Sequence, residues 1–292
     1  MDRYHEALAG SRVPVDKQLV DEAVAKIVEK APEYASPEVY QFLFSSIDLT
    51  TLSTTDTQSS VARFTQRVNE FDNDYPQFKP VAAICVYSNF AEVVKTNLDV
   101  PGVDIAVVAG GFPSSQTFGA VKVADCALAV AGGASEVDIV LNLGYFFDEN
   151  YEDMCDEVIE LKHTVKDALL KVILETGALK TYENIKKASV LSLYSEADFL
   201  KTSTGKIYEG ATLPAAWIMC QCIKEYYEKT GRKVGFKAAG GVRTTEDALK
   251  YYAVVKEVLG DEWLTHDLFR LGASGLANAL LSSMTGEETK YF

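Results

Sequence analysis

Lys201 and Lys237 are the residues whose placement most suggests chemistry. Each lies near the carboxyl end of an apolar, strand-like run, Ala197–Thr202 and Lys233–Ala238, and the two runs are consecutive. If they are neighbouring parallel strands, about 4.8 Å apart, the two stems project to the same side and their ammonium groups come close. Like charges in a partly dry cavity repel, and desolvation independently disfavours NH3+, so one lysine should lose its proton near neutral pH. A neutral amine attacks carbonyls and forms a Schiff base. The bland alternative is two lysines that snorkel to a rim and pair with carboxylates. Asp138 and Asp48, in the runs Glu136–Asn142 and Phe44–Leu49, fit both accounts. Either is a salt-bridge partner, or a general acid/base that moves a proton on a carbinolamine or enamine through water.

Such residues need a scaffold that aims several strands at one point. Eight strand-like runs recur, at Phe44–Leu49, Val81–Tyr87, Val103–Val108, Glu136–Asn142, Leu170–Thr176, Ala197–Thr202, Lys233–Ala238 and Leu268–Gly272. Their starts are 22 to 37 residues apart, the length of a strand plus its covering helix. Between them, Met154, Val158, Leu161, Val165 and Leu169 follow a helical stripe, as do Leu213, Trp217, Cys220 and Tyr227. Thr244 with Asp247 reads as a capping box, followed by Ala248, Tyr251, Val255 and Leu259. Gly132, Gly133 and Gly177 stand at expected element ends. Eight alternations predict an α/β fold, a (β/α)8 TIM barrel, in preference to an open doubly wound sheet. Leu19, Ala23 and Ile27 predict an extra N-terminal helix outside the barrel or capping its bottom. The whole chain, 1–292, reads as one domain: a helical extension over 1–40, the barrel over 41–285 and a tail over 286–292.

Side chains alternate faces along a strand. One parity is large and apolar (Ile47, Leu49, Ile84, Val86, Val137, Ile139, Leu141, Leu200, Val234, Phe236) and should face the helices. The other carries Ser46, Asp48, Cys85, Asp138, Asn142, Phe199, Lys201, Gly235 and Lys237, and should face inward. An inward polar set is costly unless it forms a site, and barrel enzymes place their catalytic groups at the strands' carboxyl ends. Three loops there suit an anion: Thr202-Ser203-Thr204-Gly205-Lys206, Gly240-Gly241-Val242-Arg243 and Gly272-Ala273-Ser274-Gly275. Small residues let backbone N–H groups approach a phosphate, and helix N-termini add favourable charge. Cys85 could line the pocket, although a buried structural thiol is the commoner case.

Composition removes other classes. With 292 residues, 48% hydrophobic and 24% charged, the chain is neither disordered nor fibrous. A net charge of −14 disfavours nucleic acid and anionic membranes as partners. No apolar run approaches a membrane span, and the first residues do not resemble a secretory signal. Cys85, Cys126, Cys155, Cys220 and Cys222 form no disulfide framework, which suits a cytoplasmic location. His5, His163 and His266 have no metal-ligand spacing, so no metal is expected, and no nucleotide-binding glycine motif gives grounds for a cofactor.

Several stretches resemble deoxyribose-phosphate aldolases. They are Ile47-Asp48-Leu49-Thr50-Thr51-Leu52, Glu136-Val137-Asp138-Ile139-Val140, Leu174-Glu175-Thr176-Gly177, Phe199-Leu200-Lys201-Thr202-Ser203-Thr204-Gly205-Lys206, Phe236-Lys237-Ala238-Ala239-Gly240-Gly241-Val242-Arg243 and Phe269-Arg270-Leu271-Gly272-Ala273-Ser274. The likeness runs from about residue 40 to about 285 and is strongest to the longer, eukaryotic-type members. It implies a metal-independent class I aldolase that reversibly cleaves 2-deoxy-D-ribose 5-phosphate to glyceraldehyde 3-phosphate and acetaldehyde, and it extends to a homodimer. It implies that Lys201 forms the Schiff base, that Lys237 lowers its pKa and that Asp138 relays protons. Asp48, Cys85, Thr202 and Thr204 would meet the substrate, and Gly205, Lys206, Gly240, Gly241, Arg243 and Ser274 would hold its phosphate. Ala238 replaces the family's common proline, and Gly275 a second hydroxyl residue. Tyr291 stands one residue before the end, where bacterial members carry a tyrosine that assists proton transfer. Another Schiff-base aldolase, a transaldolase, or a weakly active barrel that mainly binds a protein partner are the competing readings.

Overall fold

The computed structural model describes residues 3–292. Eight parallel strands close into a barrel in chain order: β1 (Ile47–Thr50), β2 (Ala83–Tyr87), β3 (Asp104–Val108), β4 (Glu136–Val140), β5 (Leu169–Ile173), β6 (Phe199–Lys201), β7 (Gly235–Ala239) and β8 (Phe269–Ala273). β8 pairs with β1 through Leu271 opposite Ile47 and Ala273 opposite Leu49. In β6 and β7, Lys201 lies directly opposite Lys237. This is the predicted (β/α)8 barrel.

The buried apolar residues separate into two clusters, as the alternation requires. The large one joins the outward residues Ile47, Leu49, Ile84, Val137, Leu200 and Phe236 to the covering helices. The small one lies inside, built from Ala83, Cys85, Ala106 and Val108 of β2 and β3. Ser46 and Asn142 belong to neither face. β1 begins only at Ile47, so the Ser46 hydroxyl donates to the Phe42 carbonyl at 2.8 Å. β4 ends at Val140, and Asn142 caps the short helix Leu143–Phe147.

The helix Thr245–Leu259 opens with the Thr244–Asp247 capping box, both reciprocal bonds present. The stripe that ends at Leu169 breaks sooner than its period suggests: the helix is Tyr151–Val165, and Leu169 starts β5. Before the barrel stand three helices, Arg3–Gly10, Lys17–Lys30 and Pro37–Phe44. The second lies across Leu213–Thr230 and Thr245–Leu259, on the barrel's flank. It buries Val20, Val24 and Ile27 and leaves Leu19 exposed, so its inner stripe is one residue out of step with the predicted one.

Candidate active site

Six of the eight strands send a charged side chain into one buried cluster inside the barrel. β1 supplies Asp48, β4 Glu136 and Asp138, β5 Lys171, β6 Lys201, β7 Lys237 and β8 Arg270. Asp138 Oδ2 accepts from Lys201 Nζ and from Lys237 Nζ, both at 2.7 Å. Lys237 also bonds Asp48. Arg270 spans the floor, reaching Asp48 at 2.7 Å and Glu136 at 2.8 Å. Lys171 bonds Glu136 and lies 3.2 Å from Asp138 Oδ1. That last oxygen is fully buried and has no hydrogen bond of good geometry among the described residues.

The cluster holds four basic groups (Lys171, Lys201, Lys237, Arg270) against three carboxylates (Asp48, Glu136, Asp138). Fully ionised these seven carry a net positive charge in a low-dielectric interior, met only from the rim by the half-exposed Asp104, 3.6 Å from Arg270. The cation that this environment disfavours is Lys201. Burial pushes its ammonium pKa down, assisted by the neighbouring Lys237 cation and opposed by Asp138. Lys237 goes the other way: burial works against its charge, but Asp138 and Asp48 outweigh it and raise the pKa. Asp138 lies well below the carboxylate range because Lys171, Lys201 and Lys237 overcome its burial. Asp48 is likewise lowered, against its burial, by Lys237, Lys171 and Arg270.

Above the cluster, at the strands' carboxyl ends, opens a cavity of about 480 Å³. Gly205, Lys206, Gly240, Gly241, Arg243 and Ser274 all line it, together with Thr204 and Lys201. The three loops meet because backbone packs directly on backbone. A β-carbon on Gly210 would overlap the Gly240 carbonyl, and Gly240 itself has φ +81°, in the left-handed region. Two helices start at this rim. Thr245–Leu259 is capped by Thr244, whereas Leu276–Thr285 begins at Gly275 with no side-chain cap, so its first amides keep their donors. Lys206 donates across the mouth to the Leu52 carbonyl.

Lys201 is the one member of the charged cluster that lines the cavity; it is 4% exposed, while Asp48, Asp138 and Lys237 are fully buried. Asp48 therefore faces cations rather than the opening. Thr202 is buried too, and its hydroxyl is committed to Ala239, donating to the carbonyl at 3.1 Å and accepting from the N–H at 3.0 Å. Thr204 lines the cavity, but its N–H and O–H both go to Glu175, at 3.2 and 2.5 Å. Cys85 lies in the inner apolar wall, its thiol pKa raised by burial.

Tyr291 is elsewhere. Its hydroxyl donates to Asp74 Oδ2 at 2.7 Å, and its ring packs edge-on against Phe71 and Tyr75. Asp74 ends the helix Gln58–Asp74, which runs back from the β1 carboxyl end, so this contact is at the opposite, amino-terminal end of the barrel. Phe292 packs there against Phe44, just ahead of β1, and Asn278 Oδ1 accepts from the backbone N–H groups of Tyr291 and Phe292. The structure thus places the Tyr291 hydroxyl at Asp74 and not at the cavity where the tail was expected.

Glu136, Lys171 and Arg270 were not among the predicted site residues. All three share the inward parity of their strands, a signal present in the sequence. Glu136 opens its strand, and the Leu170–Thr176 and Leu268–Gly272 runs conceal one basic residue each among apolar neighbours.

Comparison with known proteins agrees with this geometry. Residues 42–276 match the model of the DeoC/LacD family of aldolases. A Caenorhabditis elegans chain provisionally named deoxyribose-phosphate aldolase is 42% identical over 272 residues, 92% of this chain and 89% of that one. The deoxyribose-phosphate aldolase of Mus musculus is 42% identical over 241 residues, 79% and 76% of the two chains. Among solved structures, the aldolase QR15 superposes with a TM-score of 0.68 at 28% identity, covering 82% of this chain and 96% of its own. No described helix is long and apolar enough to cross a membrane. The barrel, its lysine-bearing interior and the family match over most of its length agree: the chain belongs to the DeoC/LacD aldolases.

Proposed function

We propose that this aldolase is of class I and reversibly cleaves 2-deoxy-D-ribose 5-phosphate to D-glyceraldehyde 3-phosphate and acetaldehyde through a Schiff base on Lys201. The observation that carries the reading is the position of Lys201, a lysine with a lowered pKa that alone of its cluster reaches a cavity rimmed by phosphate-type loops. The names borne by the mouse and nematode relatives supply the substrate class.

In this reading the neutral Lys201 amine adds to the C1 aldehyde of the open-chain sugar, and the carbinolamine loses water to give an iminium. Removal of the C3 hydroxyl proton then breaks the C2–C3 bond. Its electron pair moves into the iminium, leaving an enamine and releasing glyceraldehyde 3-phosphate. Protonation at C2 and hydrolysis free acetaldehyde and return the amine. Asp138 is the proton carrier, since its Oδ2 accepts directly from the Lys201 amine. Lys237 stays charged and keeps Lys201 poised to lose its proton. Asp48 acts through Lys237 and Arg270 rather than by touching substrate. Gly205, Lys206, Gly240, Gly241, Arg243 and Ser274 hold the phosphate, with the N-terminus of Leu276–Thr285 behind them.

Incubation with deoxyribose 5-phosphate followed by borohydride reduction should add one reduced adduct to the intact mass, on the peptide that contains Lys201. Lys201→Leu should lose both the adduct and turnover, the latter by about four orders of magnitude or more. A folded wild-type chain that leaves the sugar intact and gives no adduct would show the reading wrong.

A further inference from the structure

Glu175 is a buried carboxylate that the proposed reaction does not use. It follows β5 with φ +54° and ψ +61°, a left-handed conformation in which a side chain is strained. Such strain persists where the surroundings hold it, and often where function needs it. Its two oxygens bind a single residue: Oε1 accepts from the Thr204 N–H at 3.2 Å and Oε2 from the Thr204 O–H at 2.5 Å. The Thr204 oxygen in turn accepts from the Lys206 N–H at 3.2 Å. Between them Gly205 sits at φ +72°. One carboxylate thus fixes a turn of which all three residues line the cavity. A buried negative charge next to a site for phosphate is adverse unless it organises donors that repay it.

We infer that Glu175 is a positioning residue for the phosphate: by gripping both polar groups of Thr204 it sets the Gly205–Lys206 turn, and with it the preference for phosphorylated over unphosphorylated sugars. The inference rests on the proposed phosphosugar substrate. It assigns the selectivity to a residue that does not line the cavity.

Glu175→Gln keeps the shape, but its NH2 either opposes the Thr204 N–H or reverses the hydroxyl bond, competing with the Lys206 N–H for the Thr204 oxygen. KM for deoxyribose 5-phosphate should rise about tenfold or more, while kcat changes by less than about threefold. Deoxyribose without its phosphate should lose much less in kcat/KM, so the preference between the two sugars shrinks. Thr204→Val should behave like Glu175→Gln, and Thr204→Ser, which keeps both donors, should behave like the wild type. If Glu175→Gln fails to fold, the Val and Ser pair carries the same comparison. Equal losses on both sugars, or a fall confined to kcat, would overturn the assignment. Inorganic phosphate gives a readout free of turnover. It should raise Tm in the wild type and in Thr204→Ser, and less in Glu175→Gln and Thr204→Val; equal shifts in all four would also overturn it. A wild type that binds phosphate without cleaving the sugar would refute the reaction and leave the Tm comparison to decide Glu175.

Discussion

Four inward positions of β2 and β3, Ala83, Cys85, Ala106 and Val108, are small and apolar, with Tyr87 and Asp104 only at the strand ends, whereas the other six strands fill the same interior with seven ionisable side chains. The two sectors share one closed cavity and depend on each other. The charged sector satisfies itself through direct ion pairs, and so tolerates burial. At those four positions the apolar sector puts no charged group beside the lysines, and its packing helps to bury them. Burial is the leading cause of the lowered Lys201 pKa. The Lys201 ammonium is thus disfavoured from two unlike sides: the apolar wall deepens its burial, and the Lys237 cation repels it.

The sharpest way to break this arrangement is Lys237→Leu. It should cost about 3–5 kcal/mol of stability, because Asp48 and Asp138 each lose a buried partner. With the neighbouring cation gone, the Lys201 pKa rises, its neutral form appears only at higher pH, and the ascending limb of the pH–rate profile moves up. An unmoved profile in a folded variant would remove Lys237 from that role. Lys171→Met should act in the same direction and more weakly. Lys171 meets Asp138 at Oδ1, not at the Oδ2 that Lys201 uses, so its loss leaves Asp138 more negative and raises the Lys201 pKa indirectly. A larger displacement for Lys171→Met than for Lys237→Leu would invert this ranking. Cys85→Ala, in the other sector, should be the mildest. It deletes one buried sulfur, costing about 1 kcal/mol in stability, and turnover should stay within about twofold. A large loss of turnover there would mean that the apolar wall takes part in the chemistry.

Much of this division can be read from the sequence. Alternation in Ile47-Asp48-Leu49, Val137-Asp138-Ile139 and Leu200-Lys201 separates the wall from the interior, and the glycine-bearing loops after β6, β7 and β8 mark the rim. That two adjacent lysines should differ in pKa also follows from spacing alone. Which one yields does not: it depends on Asp48 bonding Lys237 and not Lys201, a contact between strands 189 residues apart. The partners Glu136, Lys171 and Arg270 are obscure for a related reason, since Glu136 stands at the first position of its strand and Lys171 and Arg270 are each one basic residue among apolar neighbours, and their value appears only when the barrel closes. Tyr291 misleads because proximity to a chain end says nothing of which barrel end it reaches; aromatic packing on Phe71 and Tyr75 decides that.

That anchor bears on how the molecule can be handled. With Asn278 gripping the backbone of Tyr291 and Phe292, both rings are held on the outer flank of the barrel against Phe71. Cutting the chain after Lys290 would bare Phe71 and Tyr75 to water while leaving every member of the charged cluster in place.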